Sequence, residues 1–222
     1  TRAFVEGGFE LQEAKGSAQW IDRDKLLVST TLGSDAATQS GYARTARIWK
    51  RGTAFEDTEI LFETDASSLG VWGQVDQTVK PARLWVLEQL DFQNTRFWVA
   101  DSDARFTALD LPTGMRIDAK GDQLALSNRE GWSAGGNDYP AGSVLICSLE
   151  DLLNDRPRFE TLFTPTLRRV RRYMFWNDSE LVISVLDNLE NVVEIHTHGY
   201  DGWSRKEILG IPRLGSVSVG RF

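Results

Sequence analysis

An all-β chain built from repeated four-stranded units is what this sequence predicts, and three observations predict it. Helical periodicity is nearly absent, and short apolar-aromatic runs recur about every ten residues between clusters of Gly, Asp, Asn and Pro. A longer repeat overlies them: Asp24-Lys25-Leu26-Leu27-Val28-Ser29 aligns with Asp122-Gln123-Leu124-Ala125-Leu126-Ser127 and with Ser179-Glu180-Leu181-Val182-Ile183-Ser184, with Arg83-Leu84-Trp85-Val86 as a weaker copy. The matched leucines Leu26, Leu84, Leu124 and Leu181 lie 58, 40 and 57 residues apart, near the roughly 40–50 residues of a propeller blade once loops are inserted. The third observation is an echo two repeats apart, Leu61-Phe62 with Leu162-Phe163. Together they predict a β-propeller fragment of about four complete blades with partial blades at both ends.

Each repeat divides into four strands. The first (17–66) contains SAQWI, KLLVSTT, TARIWKR and TEILFET, and the second (67–113) GVWGQVD, ARLWVLEQ, TRFWVAD and FTALDL. The third (114–166) contains GMRIDA, QLALSN, GSVLICS and FETLFT, with a short helix expected over residues 148–155. The fourth (167–213) contains VRRYMFW, ELVISVL, NVVEIHT and SRKEIL. Most of the eight tryptophans fall inside these strands, where flat side chains suit packing between blades. TRAFVEGGFEL, within residues 1–16, reads as the outer strand of a preceding blade, and GSVSVGRF, within 214–222, as the inner strand of a following one. The chain opens on Thr1 with neither methionine nor an apolar signal segment, as a piece of a longer protein would.

Composition narrows the function classes. With 41% hydrophobic and 26% charged residues the chain is that of an ordinary globular protein, and no apolar run has the length of a membrane span. A net charge of -7 argues against a broad phosphate-binding surface. The basic run Arg168-Arg169-Val170-Arg171-Arg172 reads as a solvated strand with its arginines on two faces, rather than as a nucleic-acid patch. Cys147 is the single cysteine and sits in the apolar run SVLIC, so an internal disulfide is excluded and a packed thiol is expected.

Four motifs carry possible chemistry. Gly131-Trp132-Ser133-Ala134-Gly135 spells the G-x-S-x-G elbow of serine hydrolases, which needs a strand, a sharp turn and an immediate helix. Gly135, Gly136, Asn137, Asp138 and Pro140 occupy the place of that helix, so the segment reads as a glycine-rich loop between strands and Ser133 is not a nucleophile. His196 and His198 share a strand face and would need a third metal ligand such as Asp201, but HTHGYDGW reads better as a polar strand entering an Asp-Gly turn, so neither metal nor cofactor is expected. Glu56-Asp57 and Glu150-Asp151 are adjacent carboxylates on exposed loops rather than a pair across a cleft. Gly7-Gly8 and Gly135-Gly136 lack the helix and Lys-Ser/Thr that a phosphate cradle needs.

The runs GGFELQEAKGSAQWIDRDKLLVSTTLG, SGYARTARIWKRGTAFEDTEILFE, REGWSAGGNDYPAGSVLICSLEDLL and SVLDNLENVVEI span essentially the whole chain. In them the chain resembles the propeller domain of bacterial members of the prolyl oligopeptidase family of serine peptidases. The resemblance implies a cytoplasmic or periplasmic enzyme of two domains, in which an α/β-hydrolase domain holds the Ser, Asp and His and a seven-bladed propeller caps it, admitting short peptides and excluding folded proteins. It places the nucleophile outside this chain, which then has no catalytic residue and has as partners that hydrolase domain and peptide substrates. Residues facing either partner are expected in the long connections between second and third strands, 31–44 and 129–140. Tyr42, Arg44, Arg129 and Trp132 are the candidates, since arginine pairs with carbonyls and carboxylates and tryptophan offers a flat apolar surface. A role in holding their own loops is the competing reading of these four. The alternative function is a stand-alone propeller that binds proteins, although the Trp-Asp and Gly-His signatures of one such class are absent. A downstream hydrolase domain in the parent gene distinguishes the two.

Overall fold

The structure is a computed structural model, and it describes residues 7–220. These residues fall into two compact units that divide between Thr113 and Gly114.

The first unit holds two antiparallel sheets. Strands β1 (Gly16–Asp22), β2 (Lys25–Thr30), β3 (Thr45–Lys50) and β4 (Glu59–Glu63) pair in that order, as do β5 (Gly70–Asp76), β6 (Arg83–Gln89), β7 (Thr95–Ala100) and β8 (Phe106–Ala108). The apolar run in β2 follows from burial on both sides. Alternation sends Leu26 and Val28 to one face, against Trp49 and Phe55, and Leu27 to the other, where Ala46, Val71, Leu84 and Val86 surround it. Gly73 in β5 sits so close to β2 that a Cβ there would lie 2.7 Å from the Leu27 side chain. Its N–H donates to Ser29 Oγ at 3.0 Å, so the first strand of one blade is held by the second strand of the blade before it.

The second unit repeats the plan with one insertion. Strands β9 (Arg116–Lys120) and β10 (Gln123–Ser127) are followed by a separate hairpin of β11 (Trp132–Ala134) and β12 (Asn137–Tyr139). Strands β13 (Val144–Ser148) and β14 (Glu160–Phe163) then complete the sheet in the order β9, β10, β13, β14. Helix α1 (Leu149–Leu153) is shorter than the sequence pattern predicts. Ser148 caps it by accepting from the Asp151 N–H at 3.1 Å, and Asp155, at φ 56°, lies outside helical geometry. The last sheet is β15 (Arg169–Asn177), β16 (Glu180–Asp187), β17 (Glu190–Gly199) and β18 (Gly202–Glu207), joined by tight turns. Ala125, Val144, Ile146, Phe163, Trp176, Leu181, Ile183 and Val185 form the core shared by these two sheets.

Three local expectations are corrected. The segment expected to be a glycine-rich loop between two strands contains the β11–β12 hairpin, whose turn residues Gly135 and Gly136 have φ of 60° and 79°, the geometry of a two-residue turn between twisted strands. The arginine-rich run is not a uniformly solvated strand: Arg169 points to buried Glu194 and Arg171 is half-buried. The strands expected near residues 2–11 and 214–221 are not formed by their described parts, and residues 1–6 and 221–222 lie outside the described residues. Phe9 instead packs edge-on against Trp20 and Trp49, and the Tyr173 hydroxyl donates to the Val217 carbonyl and accepts from the Val219 N–H. Side-chain contacts hold both segments, because neither has a sister strand among the described residues with which to form a ladder.

Candidate functional site

Alternating strand direction puts each connection between a second and a third strand at the end of its sheet opposite the first turn. Two of these connections are long, 31–44 after β2 and 128–143 after β10, and two are short, 90–94 after β6 and Asn188-Leu189 after β16. The candidates Tyr42 and Arg44 lie on the first long connection, in the first unit, and Arg129 and Trp132 on the second long connection, in the second unit.

The 31–44 segment is folded back on itself. Ala37 bridges Ala43, the Thr38 N–H donates to the Tyr42 carbonyl at 2.9 Å, and Thr38 Oγ1 donates to the Leu69 carbonyl at 2.9 Å. The Tyr42 ring packs on Trp72 with centroids 5.7 Å apart, and the Lys15 ammonium lies 5.4 Å from its centre. Gly70 allows this approach, since a Cβ there would stand 2.7 Å from the Tyr42 Cβ. Arg44 is spent on its surroundings: Nε donates to the Thr64 carbonyl at 3.0 Å and Nη2 pairs with Glu63 Oε1 at 2.7 Å.

In the second loop, the Asn128 amide donates to the carbonyls of Glu130, Tyr139 and Pro140 and so ties the hairpin's base. Trp132 lies 4.9 Å from Phe159 and 5.9 Å from Tyr139, ring centre to ring centre. A cleft of about 470 Å³ opens beside this cluster, lined among others by Asp138, Tyr139, Phe159, Thr161 and Thr164. Arg129 is exposed, and no ion pair engages it among the described residues. Of the two arginine candidates it alone has no ion pair among the described residues.

Ser133 stands on β11 with Oγ donating to Asp138 Oδ1 at 2.5 Å. A carboxylate beside a hydroxyl does not make a serine nucleophile without a histidine base, and no helix begins after the hairpin turn. The Ser133→Ala variant of this chain is expected to show the same absence of esterase and peptidase turnover as the parent, with unfolding free energy changed by less than about 0.5 kcal/mol; turnover that the substitution abolishes would overturn this reading. Burial, followed by the charges of Asp122 and Asp151, pushes the Cys147 thiol up to about 12, which removes it as a nucleophile.

The histidines are not arranged as a ligand pair. His196 is 3% exposed with Nε2 3.0 Å from Glu194 Oε2, whereas the His198 ring packs edge-on against Trp203. Asp201 is an exposed residue of the β17–β18 turn. Among the described residues no group of three or more His, Cys, Asp or Glu could hold a metal ion.

Sequence reasoning missed two buried glutamates. Glu88, on β6, accepts from Thr64 Oγ1 at 2.6 Å, Trp98 Nε1 at 2.9 Å and Arg96 Nη1 at 3.1 Å. Glu194, on β17 and 1% exposed, receives Arg169, Arg205 and His196. Burial works to raise the Glu194 carboxyl, but hydrogen bonds from His196 and Arg169 and the charges of Arg205 and Arg169 outweigh it and hold the group below the ordinary carboxylate range. These networks tie neighbouring strands together rather than present chemistry to solvent.

No protein-family model matches the chain. It is 24% identical to an uncharacterized peptidase of Rickettsia prowazekii over 96% of the chain and 32% of the relative, and 27% identical to an uncharacterized peptidase of Sinorhizobium fredii over 97% and 31%. Among solved structures it superposes on a post-proline cleaving enzyme from Rickettsia typhi with a TM-score of 0.83 at 23% identity, covering 92% of the chain and 32% of the enzyme. Oligopeptidase B from Leishmania major gives 0.60 at 11% identity, over 86% and 27%. The chain thus spans about a third of the length of the curated relatives it matches. No helix among the described residues is long and apolar enough to cross a membrane. In fold the chain resembles the β-propeller portion of these solved peptidases.

Proposed function

We propose that this chain is the non-catalytic, substrate-gating propeller part of a prolyl-oligopeptidase-like serine peptidase that hydrolyses short peptides. The nucleophile then belongs to an α/β-hydrolase domain of the same protein. The observation that carries the reading is the TM-score of 0.83 over a third of a post-proline cleaving enzyme. Two features of the connections between second and third strands support their ends of the blades as the surface turned toward peptide or hydrolase. Phe92 is 85% exposed on the short connection of the first unit, and Leu189 is 80% exposed on that of the second. Leu189 also sits at φ 70°, where a side chain costs about 1–2 kcal/mol, a strain that glycine would relieve and that is retained with an apolar side chain held out to solvent.

The test is the complete protein assayed on a short prolyl peptide and on the same sequence embedded in a folded domain. Cleavage of the first alone is expected, and comparable cleavage of both would refute the gating role. In the same assay Arg129→Ala is expected to lower kcat/KM several-fold with an unchanged melting temperature, because no ion pair among the described residues engages that guanidinium. Trp132→Ala is expected to lower both, because its ring also supports Phe159 and Tyr139. A change in melting temperature alone for both variants would leave them as supports of their loop.

A further inference from the structure

We infer that the second unit carries a carboxylate-binding site formed by Arg116 and Arg171, with Arg129 at its edge, that takes the acidic or C-terminal end of a peptide. The inference rests on the peptide-handling role proposed above and gives it a chemical preference. Arg171 lies on β15, half-buried, and its Nε is shut off from solvent without a hydrogen-bond partner. Its Nη1 reaches only the Arg172 carbonyl, at 3.3 Å. Arg116 opens β9, the first strand of the blade before, and the two strands are joined where the Trp176 N–H donates to Asp118 Oδ2 at 2.9 Å. Among the described residues neither Arg116 nor Arg171 has a carboxylate within ion-pair distance, in a chain with 32 acidic residues against 25 lysines and arginines.

Arg169, two residues before Arg171 on the same strand, shows what an arginine does here when an anion is within reach. It pairs with Asp187 at 2.9 Å and with Glu194. Arg171 has no such partner, although desolvation and the neighbouring Arg116 charge both work against its cationic form and lower its pKa. A half-buried guanidinium next to another cation is costly unless an anion completes it. Arg129 adds a third positive charge nearby: it follows β10 and packs on Gly114, two residues before Arg116, where an added Cβ would stand 3.6 Å from the Arg129 Cβ. Glu130 is exposed and makes no ion pair among the described residues.

The shape of the group chooses among anions. A planar guanidinium takes a carboxylate through two parallel N–H bonds. A polyanion such as nucleic acid must approach a chain of net charge -7, which opposes it. A peptide brings one or two carboxylates on an otherwise neutral backbone.

The experiment is a calorimetric titration of this chain with three probes: a short prolyl peptide ending in glutamate with a free carboxylate, the same peptide with glutamine and an amidated end, and inorganic phosphate. The acidic peptide is expected to bind roughly tenfold tighter than the neutral one, and that ratio is expected to fall to about one in the R116Q/R171Q double variant. The exposed single variant R116Q is expected to reduce the ratio without lowering the melting temperature, which keeps the test informative should the double variant unfold. Equal binding of the two peptides by the parent chain overturns the inference and leaves the peptide role standing. Absence of binding by both peptides overturns the inference and counts against that role as well. Phosphate binding as tight as the acidic peptide, with no preference between peptides, assigns the arginines to a free anion and overturns the peptide assignment.

Discussion

Replacing Glu194 by alanine is expected to destabilise the second unit by about 3–5 kcal/mol, the cost of stripping one partner from a buried ionic group. The carboxylate is 1% exposed and serves Arg169, on the first strand of its sheet, Arg205, on the fourth, and His196, on its own strand. Its loss removes the carboxylate partner of the buried His196 and of Arg205 and leaves Arg169 with Asp187 alone. The same residue sets an acid limit. Its folded pKa is depressed, so its contribution is complete above the carboxyl's unfolded value and is lost as pH falls through the folded one, below the ordinary carboxylate range. Urea denaturation between about pH 2 and pH 7 is expected to show a steep acid loss in the parent chain and a shallower one in Glu194→Gln. Identical pH profiles would remove Glu194 as the titrating group.

Trp176→Ala is expected to cost a similar amount, about 3–5 kcal/mol. The indole is 5% exposed within the core of the second unit, stacks obliquely on Trp203 at 6.0 Å, and donates from Nε1 to the Asp118 carbonyl at 3.1 Å. Alanine removes packing between two sheets and the indole N–H bond to the half-buried Asp118 carbonyl. Trp176→Phe, which keeps most of the volume and loses the donor, is expected to cost about half as much. The comparison is read from chemical denaturation midpoints, and equal losses for the two variants would mean that the hydrogen bond, rather than the packing, carries the effect.

The parts of this molecule that were legible in its sequence are those whose cause is local. A second strand such as KLLVST is apolar at successive positions because both of its faces are covered, and that pattern recurs once per blade. The β11–β12 hairpin had a local signal too, since Gly135-Gly136 lies between short polar-aromatic arms, but the surrounding glycines and the resemblance to an elbow masked it. Glu88 and Glu194 were not legible as hubs. Each interrupts an apolar strand with a charge, yet their partners Thr64 and Arg169 lie 24 and 25 residues away and only the folded chain brings them together. Arg44 and Trp132 illustrate the converse: residue type and loop length marked them as available, whereas their contacts show them largely occupied by their own surroundings.

The fourth strands of the second and third sheets are thin. β8 has three residues and β14 four, against seven in β6 and five in β10, and β14 joins its neighbour through a break in register. Few ladder bonds secure these strands, while the second and third strands, β6, β10 and β13, hold fully buried leucines and valines. In these two sheets opening therefore costs least at the fourth strand and rises toward the first two, so that amide protons exchange in graded order across them rather than all together. A blade built in this way can shed and regain its outermost strand as a fast local event while the strands that anchor the next blade stay closed.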